Sequence, residues 1–245
     1  MKLYHLPVSP WSERARWSLY WNGIQHQSTE HLVLIGELSL RGARRTLGQK
    51  ITAPSMVLDD GSWLTDSWEI ARWADTEAQG RFFRGQHKVI EGLQAHAERF
   101  LTLLRPVVLE RMVRDPKALE ESLPAIFPSA LHRPLRLVGA LGVRYLLQKY
   151  ERPTVKEHEI FDLFDCFRKA LQDRDTVLED GFSYGDILIA TALQMIKPAP
   201  QSLYPIGQAT RDAWTLHPYC ERASDLLEWR DRVYQTYRMR THADA

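Results

Sequence analysis

The apolar positions change their period along this chain. Up to about residue 78 they come in short runs and alternations punctuated by Pro, Gly and Asp, and beyond residue 87 they recur every three or four positions. Lys2–Leu6 predicts a first strand, and Pro7-Val8 leads out of it. Ser9-Pro10 then opens a helix, with serine as N-cap, proline at the first helical position and Gly23 as the stop. Trp11, Ala15, Ser18 and Leu19 share one face of that helix. Thr29–Leu34 has the composition of a second strand, and Glu37–Leu47 can form a short helix. Met56-Val57-Leu58 and Ser62-Trp63-Leu64 flank the hairpin signal Asp60-Gly61. Pro54 cannot donate to a strand ladder, so it belongs at a strand start or a special bend. Asp66 to Glu69 has the spacing of a capping box and opens a helix that runs to Glu77.

Gln79–Gln86 reads as a linker, and past it the strand signals vanish. Val89/Ile90, Leu93, Ala97, Phe100/Leu101, Leu104 and Val107/Val108 predict a long amphipathic helix bent at Pro106. Ile160, Leu163/Phe164, Phe167 and Leu171 predict another. Gly181-Phe182-Ser183-Tyr184-Gly185-Asp186 caps a nearly all-apolar helix from Ile187 to Ile196, which must be buried on every side. Pro218 to Tyr237 predicts a last amphipathic helix, and the tail Thr241–Ala245 should fray. The organisation expected is an α/β domain over residues 1–78 and an all-helical domain over residues 87–240.

Composition narrows the function classes. A net charge of +1 on 245 residues gives no basic field, so nucleic acid is not the expected partner. Cys166 and Cys220 form neither a disulfide framework nor a metal-ligand spacing, and both fall on apolar helix faces. No metal is expected. The N-terminus lacks a signal-peptide core, and no apolar run approaches the ~20 residues that span a bilayer, so a cytoplasmic location is the expectation.

The candidate chemistry lies at two helix starts. A strand, a tight turn, a strand and the acid–serine pair Asp66-Ser67 make a small-anion cradle, because free amides and a positive helix end point at whatever lies there. At the other start, Ser9 can simply cap its helix, or its hydroxyl can donate to a thiolate docked at the positive helix end. A free thiol titrates at ~8.5, and each unit of lowering takes ~1.4 kcal/mol of preferential stabilisation of the thiolate. One charge-assisted hydrogen bond plus a helix end is of that size.

Ala53-Pro54 followed by Asp66-Ser67, together with Ser-Pro-Trp-Ser-Glu-Arg-Ala-Arg from Ser9, resembles the cytosolic glutathione transferases of the serine type. The resemblance implies a thioredoxin-like N-terminal domain followed by a helical bundle, with glutathione as co-substrate. It places a cis-proline at Pro54 and pairs the backbone of Ala53 with the cysteinyl part of glutathione. It assigns the γ-glutamyl end to Asp66 and Ser67, and the glycyl carboxylate to Gln49 and Lys50. Ser9 takes the thiol-contacting position, with Ser12 as the second candidate. Trp11 would line the pocket for an apolar electrophile, bounded on its other side by the helical domain. Tyr4 and His5 are read as strand residues without a chemical role. The hexapeptide Gly181–Asp186 resembles the family's capping motif, a folding element. A homodimer is implied too. Rival readings within the same fold are a non-catalytic binder of glutathione, a membrane or a protein, and a glutathione-dependent isomerase or peroxidase.

One segment departs from that family. Residues 115–153 form an insertion, and Leu123 to Tyr150 contains no acidic residue. Drawn as a helix, Arg133, Arg136 and Arg144 fall on one side, with Leu135, Val138, Gly142, Tyr145 and Leu146 on the other. The plainest reading is an extra helix packed on its own domain with a solvated basic face. A lid over the substrate cleft ranks second, and contact with an anionic membrane or a partner ranks last.

Overall fold

Leu3, Ala15, Leu19, Met56, Ile70 and Ala74 are each fully buried and form the N-terminal core, which two helices and one face of a sheet enclose. In the computed structural model the described residues are 1–31, 33, 36, 40, 52–124 and 127–238. The chain divides into two compact units, Met1–Gly85 and Gln86–Ala245.

The first unit contains β1 (Lys2–His5), α1 (Pro10–Trp21), β2 (Gln27–Glu30), β3 (Ser55–Val57), β4 (Trp63–Leu64) and α2 (Ser67–Glu77). The sheet order is β2-β1-β3-β4. β2 runs parallel to β1, while β3 is antiparallel to both β1 and β4. This is the thioredoxin-like arrangement. Leu3 pairs with Met56 and Met56 with Leu64, so the inward face of the sheet is continuous across three strands. Tyr4 belongs to the other face, where its ring stacks on Trp63 at 5.8 Å. β2 begins earlier than the strand expected over Thr29–Leu34, because Gln27 donates to the Met1 carbonyl and so joins the ladder. The helix expected over Glu37–Leu47 falls almost wholly outside the described residues, as do Gln49 and Lys50.

Every named element among the described residues of the second unit is a helix. The unit comprises α3 (His87–Arg114), α4 (Pro116–Glu121), α5 (His132–Lys149), α6 (Glu157–Leu171), α7 (Tyr184–Ala192), α8 (Gln208–Trp214), α9 (His217–Arg222) and α10 (Ser224–Val233). α3 continues through Pro106 to Arg114. Phe100 on α3 meets Phe164 and Phe167 on α6, each pair of rings at 5.6 Å. α7 is buried along its whole length, as its composition requires.

Both ends of α7 are held. Asp186 accepts from Ser183 N–H at 2.8 Å, while Ser183 Oγ accepts from Gly185 N–H at 3.2 Å. At the far end the fully buried Arg230 donates to the carbonyls of Leu193 and Lys197, and its charge is answered by Asp231 at 2.6 Å. The single last helix expected from Pro218 to Tyr237 is divided into α9 and α10 at Ala223. Its final turn, Tyr234–Arg238, widens to π geometry. Cys166 and Cys220 are free and half-buried.

Within residues 115–153 the chain forms α4 and α5, with a short 3-10 turn at Ser129–Leu131 before α5. Its buried side is Gly139, Ala140, Val143 and Leu147, not the side expected from the pattern. Leu135, Gly142, Tyr145 and Leu146 are half-buried and Val138 is exposed. Close approach explains the choice. A Cβ on Gly139 would stand 2.5 Å from the Leu119 carbonyl oxygen, so α4 can only lie this near a face made of small residues.

Candidate glutathione site

Register alone gathers the sequence motifs of the first unit at one end of the sheet. Tyr4, near the end of β1, pairs with Ser55 at the start of β3, so Pro54 lies beside the exit from β1 into α1. Leu64, at the end of β4, pairs with Met56, so the entry into α2 lies next to that same β3 start. Thr52 ties the last two together by donating its hydroxyl to the Thr65 carbonyl at 3.0 Å. The positive N-termini of α1 and α2 therefore open at the same edge, on either side of the Ala53-Pro54 peptide, which is cis.

The turn into α1 is stiffly built. Ser12 is fully buried, and its Oγ accepts from Leu6 N–H at 3.0 Å. Arg16 donates to the Pro7 carbonyl at 2.8 Å and to Glu13 at 2.7 Å. It also lies 3.3 Å from His5 Nδ1, which makes that nitrogen the acceptor and leaves the proton on Nε2. Burial, reinforced by the Arg16 charge, lowers the His5 pKa from 6.5 to about 4. His5 is thus a neutral buttress of the loop, and nothing in the sequence pattern points to its pairing with Arg16.

That frame presents Ser9. Its φ of −77° and ψ of 126° are those of an extended N-cap. Its Oγ accepts from Ser12 N–H at 3.5 Å, a long bond for a cap. Trp11, two positions on, is half-buried at the end of the face that Ala15, Ser18 and Leu19 bury completely.

At α2, Asp66 is the exposed N-cap and accepts from Glu69 N–H at 2.8 Å. The reciprocal bond falls one residue earlier than the capping-box spacing predicts. Glu69 accepts from Thr65 N–H at 2.6 Å and from the Thr65 hydroxyl at 2.8 Å, because threonine offers it two donors at once. Ser67, the first residue of α2, is buried. Ala53 is half-buried and Pro54 buried.

The sequence of residues 8–77 matches the family described as "Glutathione S-transferase, N-terminal domain". Residues 8–77 belong to that domain family. Glutathione S-transferase structures also share the fold of nearly the whole chain. One from Ceriporiopsis subvermispora, solved in complex with glutathione, is 18% identical with a TM-score of 0.51, covering 93% of this chain and 96% of its own. One from Rhodospirillum rubrum is 16% identical with a TM-score of 0.53, covering 96% and 91%. One from Methylobacterium radiotolerans, in complex with glutathione sulfonate, is 15% identical with a TM-score of 0.50, covering 99% and 92%. No curated protein matches by sequence.

The Ala53-Pro54 peptide is cis and Asp66 caps α2, both as expected from the sequence. Among the described residues no cluster of His, Cys, Asp and Glu could hold a metal ion, and no helix is long and apolar enough to cross a membrane.

Proposed function

We propose that the chain is a glutathione transferase that uses Ser9 to activate the thiol of bound glutathione. The observation that carries this reading is the convergence at one sheet edge of the Ser9 hydroxyl, the cis peptide before β3 and the start of α2. The backbone of Ala53 pairs with the cysteinyl part of glutathione. Asp66 and Ser67 hold the γ-glutamyl end, the ammonium by the exposed carboxylate and the carboxylate by the helix start and the Ser67 hydroxyl. Gln49 and Lys50 take the glycyl carboxylate.

The Ser9 hydroxyl donates a hydrogen bond to the sulfur and keeps its own proton, and the α1 dipole adds to the preference for thiolate. The thiol proton passes to solvent. The thiolate then attacks an electrophilic carbon of an apolar substrate near Trp11, forming a C–S bond as the leaving group departs with its electron pair. Ser12 is a positioning residue in this scheme, since its oxygen is engaged by Leu6 N–H. The enzyme works in the cytoplasm as a homodimer.

The test is a spectroscopic titration of the thiolate in the glutathione complex, coupled to conjugation of 1-chloro-2,4-dinitrobenzene. Tight glutathione binding with a thiol pKa lowered by a unit or more, and turnover that follows it, is the expected result. Binding without thiolate at neutral pH would make the protein a non-catalytic binder.

A further inference from the structure

Helix α5 has its buried stripe of Gly139, Ala140, Val143 and Leu147 against α3 and α4, yet its opposite side is not simply polar. Leu137 is 71% exposed, Leu141 56% and Val138 40%, and Leu131 at the entrance of the helix is 46% exposed. Leu137 and Leu141 are one turn apart and form a ridge. Arg133 lies one turn before that ridge and Arg144 one turn after it, with Arg136 on its flank, all exposed. No acidic residue occurs between Leu123 and Tyr150 to pair with them. Large aliphatic side chains in water at the centre of a cationic face are the composition of a helix that lies in a lipid interface.

We propose that this face of α5 docks on an anionic lipid surface. Leu137 and Leu141 seat at the boundary between headgroups and acyl chains, with Val138 beside them. Arg133, Arg136 and Arg144 meet lipid phosphates and carboxylates. Charge complementarity selects this occupant over a second copy of the chain. A two-fold contact through the same ridge would set these arginines near their own copies, and the helix carries no carboxylate to answer them. No helix among the described residues can cross a bilayer, so the association is peripheral and reversible. This inference is independent of the chemistry at Ser9.

The experiment is co-sedimentation of the full-length protein with vesicles of phosphatidylcholine, with and without phosphatidylserine, at low and high salt. Binding is expected only with phosphatidylserine, and salt should release it. Leu137→Asp with Leu141→Asp should abolish binding, and Arg133→Ser or Arg144→Ser should each weaken it about fivefold. These positions are exposed, so melting temperature and glutathione affinity should be unchanged. Absence of binding at low salt, or full binding by the double aspartate variant, would overturn the proposal. So would light scattering showing that the double variant turns a lipid-free dimer into a monomer, which would make the ridge a self-interface.

Discussion

Ser12 Oγ accepts the backbone N–H of Leu6 at 3.0 Å, and that bond separates the roles of the two serines on α1. It spans the loop that leads out of β1 and anchors the turn from which Ser9 projects. Ser9 has no comparable duty, because its own capping bond is long at 3.5 Å.

Ser9→Ala should therefore cost little stability, about 0.5–1 kcal/mol, the low end for a lost cap. In the same variant the thiol pKa of bound glutathione should rise by a unit or more, moving the pH–rate profile upward with it. Ser12→Ala should behave oppositely. It leaves Leu6 N–H without its partner, at a cost of about 1–3 kcal/mol, and moves the thiol titration much less. Chemical denaturation and thiolate absorbance, measured on both variants, separate the two effects. A Ser9→Ala titration identical to the wild type would reduce Ser9 to a cap.

Ser67→Ala should weaken glutathione binding by about 1–3 kcal/mol, because it removes a hydroxyl at a helix start. The fold should survive, since Asp66 still caps Glu69 N–H. Calorimetry on the folded variant decides the point, and unchanged affinity would take Ser67 out of the site.

Asp186 carries a pH dependence of stability. Burial is the main cause of its pKa being raised from 3.8 to about 6, against the hydrogen bonds from Val177 and Ser183 that favour the carboxylate. The folded protein then holds a proton that the unfolded chain has released between those two values. Its contribution is full below about pH 4 and is lost as pH rises through about 6, a change of about 2–3 kcal/mol. Asp186→Asn should flatten that part of the stability–pH curve. Asp186→Ala should instead destabilise by about 1–2 kcal/mol through the lost cap, with glutathione affinity of the folded fraction intact.

α8 is capped from a distance at both ends. Glu121 accepts from Ala209 N–H at 3.1 Å and from Thr210 N–H at 2.7 Å, while Arg111 donates to the Ala213 and Asp212 carbonyls at 2.7 and 3.0 Å. A Cβ on Gly207 would lie 2.0 Å from the Glu121 carboxyl carbon. Gly207→Ala should thus destabilise by about 1–2 kcal/mol by displacing the cap, although the φ of −59° suits any residue. Combined with Glu121→Ala the loss should be less than additive, as a double-mutant cycle by urea denaturation would measure.

His5 should remain neutral until pH falls to about 4. Its folded pKa is depressed, so the stability tied to it is present above about 6.5 and declines as the pH falls toward 4. Following the His5 ring resonances by NMR through that range checks this, and protonation near pH 6.5 would detach His5 from Arg16.

Elements whose signals are local are legible in the amino-acid sequence. The change in apolar period marks where strands end and helices take over. Ser9-Pro10, Asp66 and Ser183 with Asp186 announce helix starts because a cap bonds to backbone only two or three residues away, and that geometry is written in adjacent positions. Tertiary structure decided what depends on distant partners. Two of the candidate site's motifs, at Ser9 and Ser67, are 58 residues apart in the chain and come to the same end of the sheet through the pairings of Tyr4 with Ser55 and Met56 with Leu64. Glu121 caps a helix start 88 residues onward at Ala209, which no spacing rule anticipates. The buried face of α5 was chosen by α4, whose backbone needs the missing Cβ of Gly139. Periodicity could not foresee that choice, because apolar residues ring most of that helix, and packing follows the closest fit between surfaces rather than the count of apolar residues on a face.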